Sequence, residues 1–350
     1  MRQLAVLPLL LVCSIASAQD RFVVGTASAA RGEKAYGAIE VPAGIDAALT
    51  IPVVVANGAK PGPVLALVSG LHGTEYASII ALERVIARLD PTALSGTVIV
   101  LPLVNVPSFE QKVPHVNPID HKSMNRFYPG KIDGTQTERA SFLITKEVVD
   151  RCDHLIDLHG GDLDESLRPY SYWPLSGNAA QDRVSREMAL AFGIDHIIIS
   201  ADRPRDPAAS RYLDNTANTR GKASIAVEAG YAGTVDTDDV ELLANGCFNV
   251  MRYFKMMPGS AAPVANPVWL ENVQSVAGDQ NGIFYPAVRR GMYVTKGMKI
   301  GTLTDYLGRT VAEPVAPVSG VVTFIRAVPS MTKGETIASV GVVAAPPPNP

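Results

Sequence analysis

The sequence has little cysteine, no run of basic residues and no long apolar segment, and each absence bears on what the protein can be. A formal net charge of −3 without a basic run argues against nucleic acid as the main partner. No apolar stretch reaches the roughly 20 residues that a helix needs to cross a bilayer. Of three cysteines, Cys13 lies in a leader-like segment, and Cys152 and Cys247 lack metal-ligand spacing. Those two could pair in an oxidising compartment or lie apart as small buried apolar groups; the sequence leaves both open. Charged residues are only 19% of the 350 positions against 47% hydrophobic, so a large core is expected and extended disorder is not. The length suits two domains.

The N-terminus reads as an export signal. Arg2 is a short basic segment, residues 4–15 are apolar, and Ala16-Ser17-Ala18 has the pattern of a cleavage site. We expect a signal peptide over residues 1–18, a mature chain from Gln19 and a secreted, periplasmic location. Residues 19–257, with strand-like segments at 20–60, alternate strand and helix patterns and form an expected α/β domain. A proline-rich linker at 258–267 precedes short strands and glycines over 268–343, expected as a small all-β module. The proline-rich tail at 344–350 is expected to be loose.

The chemistry concentrates around Ser69-Gly70-Leu71-His72-Gly73-Thr74-Glu75. An apolar run at 64–68 leads in as a buried strand, and a helical pattern at 77–89 leads out. The motif sits on a strand-to-helix turn, where α/β proteins place their chemistry. His72 and Glu75 are three apart, so at the opening of a helix they can face one point. An imidazole nitrogen and a carboxylate oxygen are two parts of a zinc site whose third ligand must come from elsewhere. A plain helix start capped by Ser69 or Thr74 would use the same residues.

Further stretches supply candidates. Residues 106–134 form a long irregular segment that carries Asn125-Arg126. A guanidinium there suits a substrate carboxylate or a surface salt bridge. Residues 153–161 read as a strand ending at Gly160-Gly161, with Asp157 and His159 on one face. His159 is the natural third ligand, and Asp157 could orient a ligand imidazole. The acidic run Asp162-Leu163-Asp164-Glu165 is a solvated loop or a receiver for a cationic substrate group. Glu228, among small apolar residues at the end of a strand at 223–230, should have a raised pKa and could shuttle a proton.

In order and approximate spacing, His72-x-x-Glu75, Asn125-Arg126, Asp157-Leu158-His159 and Val227-Glu228-Ala229-Gly230 resemble the motifs of the succinylglutamate desuccinylase/aspartoacylase family, over roughly residues 45–257. The resemblance implies a mixed-sheet, zinc carboxypeptidase-like α/β catalytic domain with one Zn2+ per chain, held by His72, Glu75 and His159. It implies Glu228 as general base and acid, and Asn125 with Arg126 as holders of a substrate carboxylate. The family's carbonyl-polarising arginine has no counterpart in residues 117–122, where His121 or Lys122 would have to substitute. The C-terminal module resembles a biotinyl/lipoyl-like β domain; its turn at 305–309 has no lysine, so no attached prosthetic group is expected. The implied activity is zinc-dependent hydrolysis of the amide bond of an N-acyl amino acid or related small carboxylate. A periplasmic metallocarboxypeptidase acting on peptides would use the same residues. A non-catalytic binding module on the same fold would need neither Glu228 nor an open zinc position. The expected partner is the small-molecule substrate, with no nucleic acid and no membrane span. The oligomeric state is not legible.

Overall fold

The computed structural model describes residues 21–347. The expected leader, with its cut after Ala18, and residues 348–350 of the tail lie outside them. A mixed sheet of twelve strands runs through the described molecule. Its centre comprises, in spatial order, Glu165–Pro174, Ala223–Tyr231, His154–His159, Lys60–Ser69 and Ser95–Leu101. The last four are parallel, and the first runs antiparallel to its neighbour. Strands covered on both faces read as near-continuous apolar runs, as residues 64–68 do. Alternation still decides the faces: Leu65 and Leu67 enter one core, Ala66 and Val68 the other. Helices Tyr76–Arg88, Ala179–Phe192 and Thr237–Tyr253 cover the first face; Gln136–Glu147 and Leu213–Asn218 cover the second.

This layering answers the cysteine question. Cys152 packs in the second core and Cys247 in the first, so the sheet stands between them. Both are free and buried. Burial pushes the Cys152 thiol up to about 12 and raises that of Cys247 as well, so neither is a ready thiolate.

Three segments differ from the sequence expectation. Residues 165–174, passed over in the sequence, form a central strand whose burial follows no simple alternation. The apolar run at 97–105 reads in the sequence as one strand, but the strand ends at Leu101. Asn105 instead caps a short helix, Val106–Gln111, its side chain accepting from the Ser108 amide. The segment 106–134 is therefore only partly irregular. Residues 268–343 are strands and turns around Phe284, Ile300, Leu303 and Val322. They continue the main sheet: Val268–Ala277 pairs parallel with His196–Ser200, and Gly320–Arg326 pairs with Glu165–Pro174.

One partly buried histidine is expected to make the fold acid-sensitive. The His154 ring stacks on Phe254, with centroids 4.0 Å apart, and its Nδ1 is buried without a partner. Burial pushes its pKa down from 6.5 to about 4. The folded state therefore binds this proton more weakly than the unfolded chain. The stability tied to neutral His154 is whole above pH 6.5 and drains away as pH falls toward 4. About 2 kcal/mol is lost by pH 5. The drop in urea midpoint between pH 7 and pH 5 should be smaller in His154→Phe than in the parent; equal drops would remove the role.

Candidate active site

The strand Lys60–Ser69 delivers the chain to the loop that carries His72 and Glu75. That loop is tied on all sides. The Gly73 amide donates to Ser108 Oγ at 2.9 Å, and Asn105 Nδ2 donates to the Leu71 carbonyl at 3.1 Å. Thr74 Oγ1 donates to the buried carboxylate of Asp162. A Cβ at Gly73 would come within 2.3 Å of the Phe109 backbone nitrogen, so only glycine lets loop and helix approach this closely. His159 arrives from the neighbouring parallel strand, whose Asp157 pairs with Val68.

His72, Glu75 and His159 meet. Glu75 Oε1 lies 2.7 Å from His72 Nδ1, and Oε2 lies 2.8 Å from His159 Nδ1. One donor atom from each residue lies within 4.8 Å of the others. Burial alone would raise the Glu75 pKa, but the two imidazoles outweigh it and hold the carboxyl well below its usual range. Burial likewise opposes charge on His159, and Asp157 with Glu75 overcomes it, so its pKa is raised. Two imidazoles and a carboxylate are donors suited to zinc. The surroundings fit the ion too. His159 Nε2 is 3.2 Å from Asp157 Oδ1, and both Asp157 oxygens are buried without a hydrogen-bond partner. Asp157 can take the Nε2 proton and leave Nδ1 free as a ligand.

Glu228 lies in register beside His159 on the adjacent parallel strand and opposite Tyr170 on the antiparallel one. Burial raises its pKa well above the usual carboxylate value, and the charges of Glu75, Glu165 and Asp157 add to this against His159. A cavity of about 470 Å³ has His72, Glu75, Glu228, Arg126, Tyr170 and Tyr172 on its wall. Phe324, Thr336 and Ser339 of the all-β part complete that wall.

Asn125 sits beside His159. Its Nδ2 lies 3.0 Å from His159 Nε2, and its Oδ1 accepts from the Leu213 amide at 2.9 Å. The Nδ2 contact is a hydrogen bond only when Nε2 carries no proton, so with that proton on Asp157's side the amide is anchored through Oδ1, and Arg126 lines the cavity wall. Neither substitute for the missing arginine lines the cavity. Lys122 is drawn away to Glu138 at 2.8 Å, and its ammonium sits over the Phe127 ring. Besides Arg126, a cation on the wall is His115, which the sequence reading missed by starting its search two residues later in the same loop. Its Nε2 is 2.9 Å from Asp164 and its Nδ1 3.2 Å from Asp162. Burial opposes its charge, but these carboxylates push its pKa up to about 9. The acidic run is thus spent inside the protein, with Arg326 also on Asp164 at 2.8 Å.

Layered mixed sheet, buried His-Glu-His cluster and facing carboxylate define an α/β protein built around a candidate metal centre. The sequence profile of the succinylglutamate desuccinylase/aspartoacylase catalytic domain matches residues 61–254, and the chain belongs to that family. It is 28% identical over 319 residues to the N-alpha-acetyl-L-2,4-diaminobutyric acid deacetylase of Halomonas elongata, covering 88% of this chain and 91% of that one. Its fold matches the product-bound ectoine utilization protein EutE (DoeB) of Ruegeria pomeroyi at a TM-score of 0.81 and 21% identity, over 92% of this chain and 98% of that one. A succinylglutamate desuccinylase/aspartoacylase of Rhodobacter sphaeroides matches at 0.79 and 23% identity, over 89% and 96%. Family and relatives support deacylase activity for this chain.

Proposed function

We propose that the protein is a zinc-dependent hydrolase that cleaves the amide bond of an N-acyl amino acid or related small carboxylate. The observation that carries this is a single cavity wall bearing His72, Glu75, Glu228 and Arg126, with His159 beside them. His72, Glu75 and His159 would hold the ion, the number of protein ligands a catalytic zinc takes. Bound there, zinc would polarise the scissile carbonyl and lower the pKa of water to about 7. Arg126 holds the substrate carboxylate and so sets where the amide lies. Glu228 takes a proton from the attacking water and returns it to the departing amine nitrogen. Asp157 keeps the His159 ring in the ligating tautomer.

Residues 268–343 are read as a small biotinyl/lipoyl-like β domain that shapes the mouth of the cavity. The chain is read as exported to the periplasm, and N-terminal sequencing of the secreted protein should begin at Gln19.

The central test is metal analysis and a substrate panel on the mature protein, purified without chelator. About one zinc per chain is expected, with N-acetyl or N-succinyl amino acids cleaved in preference to short unacylated peptides. Preference for peptides would make it a carboxypeptidase. Ligand binding without metal or turnover would make it a binding module.

A further inference from the structure

Asp162 and Asp164, in the acidic run after His159, tie three remote segments to one point. Asp162 is fully buried and Asp164 mostly so. Asp162 Oδ1 accepts from the hydroxyl of Thr74, the residue before Glu75. Its Oδ2 accepts from the His115 amide at 2.9 Å and lies 3.2 Å from Nδ1 of the same residue. The other ring nitrogen, Nε2, lies 2.9 Å from Asp164 Oδ1. Asp164 Oδ2 meets the Arg326 guanidinium at 2.8 Å. Arg326 is buried at the end of the strand Gly320–Arg326 of the all-β part. Its Nε donates to the Thr336 carbonyl at 3.1 Å, and Glu335 is a more distant partner at 3.6 Å. The Asp164 carbonyl accepts from the Ala327 amide at 2.8 Å, so side chain and backbone of Asp164 hold the same strand end.

Buried carboxylates need paired donors, and losing one partner leaves charge uncompensated. Here the donors come from different segments, and all four carboxylate oxygens are engaged. His115 has φ = 62°, a left-handed backbone that non-glycine residues rarely adopt. Such a conformation persists where the surroundings enforce it, and here amide and ring close on Asp162 together. Without Arg326, His115 would be the only side chain left to compensate Asp164. The ring would then turn toward Asp164 and loosen its hold on Asp162. The Asn105 and Ser108 bonds fix the metal turn at Leu71 and Gly73, but the contact next to Glu75 is the one from Thr74 to Asp162.

We propose that Arg326, in the all-β part, is a positioning residue for the metal ligand Glu75, acting through Asp164, His115, Asp162 and Thr74. The proposal rests on the metal-site part of the reading above and goes beyond it. The all-β part sets the metal turn as well as lining the cavity.

The test is amide hydrogen exchange on the metal-free protein in chelator, with zinc titration by calorimetry beside it. In Arg326→Gln, exchange over residues 70–76 should quicken by about tenfold, the local opening expected for one lost charge-assisted contact. Zinc should bind about 10- to 100-fold more weakly, the range for loss of an outer partner of a ligand. Arg326→Lys keeps the charge and should restore part of both. Asp164→Asn cuts the same contact from the other side and should match Arg326→Gln, and it carries the test if that variant fails to fold. Lys299→Gln opens the exposed pair with Glu313 in the same part of the chain and should change neither readout. Thr74→Val cuts the path at its inner end, so adding Arg326→Gln to it should change neither readout further. Faster exchange confined to the neighbours of residues 164 and 326, with the turn and zinc affinity unchanged, would assign Arg326 to the interface alone and overturn the proposal. Additive losses in the Thr74→Val background would overturn it too. A parent protein that binds no zinc would sink the metal reading alone, because exchange in the turn still reports on Arg326.

Discussion

Glu228→Gln is expected to leave the metal content of the protein unchanged and to lower kcat by about a thousandfold on any substrate it cleaves. The two side chains have the same shape, and Glu228 is not in the ligand cluster, so fold and cluster should persist. What the amide lacks is the ability to take a proton and give it back. No other group on the cavity wall is equally placed to do so. Glu165 also stands there, and burial, with the charge of Glu75, pushes its pKa up to about 8. Its Oε2, however, accepts the Asp162 amide at 3.1 Å. Glu228 lies in register beside His159, and burial raises its pKa well above the usual carboxylate value, which strengthens it as a base. Zinc retention with full kcat in the variant would remove Glu228 from the mechanism.

The second large effect is expected at His159. His159→Ala should weaken zinc binding by at least about a hundredfold, more than the loss of an outer-sphere partner, and bring hydrolysis to background. It should also weaken the metal-free protein. Glu75 is buried, held between two imidazoles and the Gly160 amide. Removing one imidazole leaves a buried charge half compensated, which costs about 3 kcal/mol. Zinc titration followed by calorimetry reads the first effect, and urea unfolding in chelator reads the second. Normal zinc affinity in this variant would mean that the ion, if any, sits elsewhere.

The sequence carried the family, the strand-to-helix turn and the order of the motifs, and the profile match over 61–254 agrees with that reading. It also carried the pairing of apolar runs with buried central strands. It passed over Glu165–Pro174, whose Ser, Arg and Tyr side chains hide a strand that only its neighbours make necessary. It looked for a cation at 121–122, while the loop turns Lys122 outward to Glu138 and puts His115 on the wall. It grouped Asn125 with Arg126 because the pair matches the family's carboxylate-holding residues. Adjacent residues leave a short helical turn in different directions, and here one goes behind His159 and the other into the cavity.

What the sequence determined alone was everything that depends on a few neighbouring residues. His72 and Glu75 share a turn because they are three apart, and Asp157 and His159 share a strand face because they are two apart. The tertiary structure decided what meets across long separations. Parallel register sets Glu228 beside His159, the sheet parts Cys152 from Cys247, and Arg326 comes to Asp164. The reason is physical: spacing along the chain fixes direction over one turn or one pleat. Distance between remote side chains is fixed only when strands choose their partners and both faces of the sheet are buried.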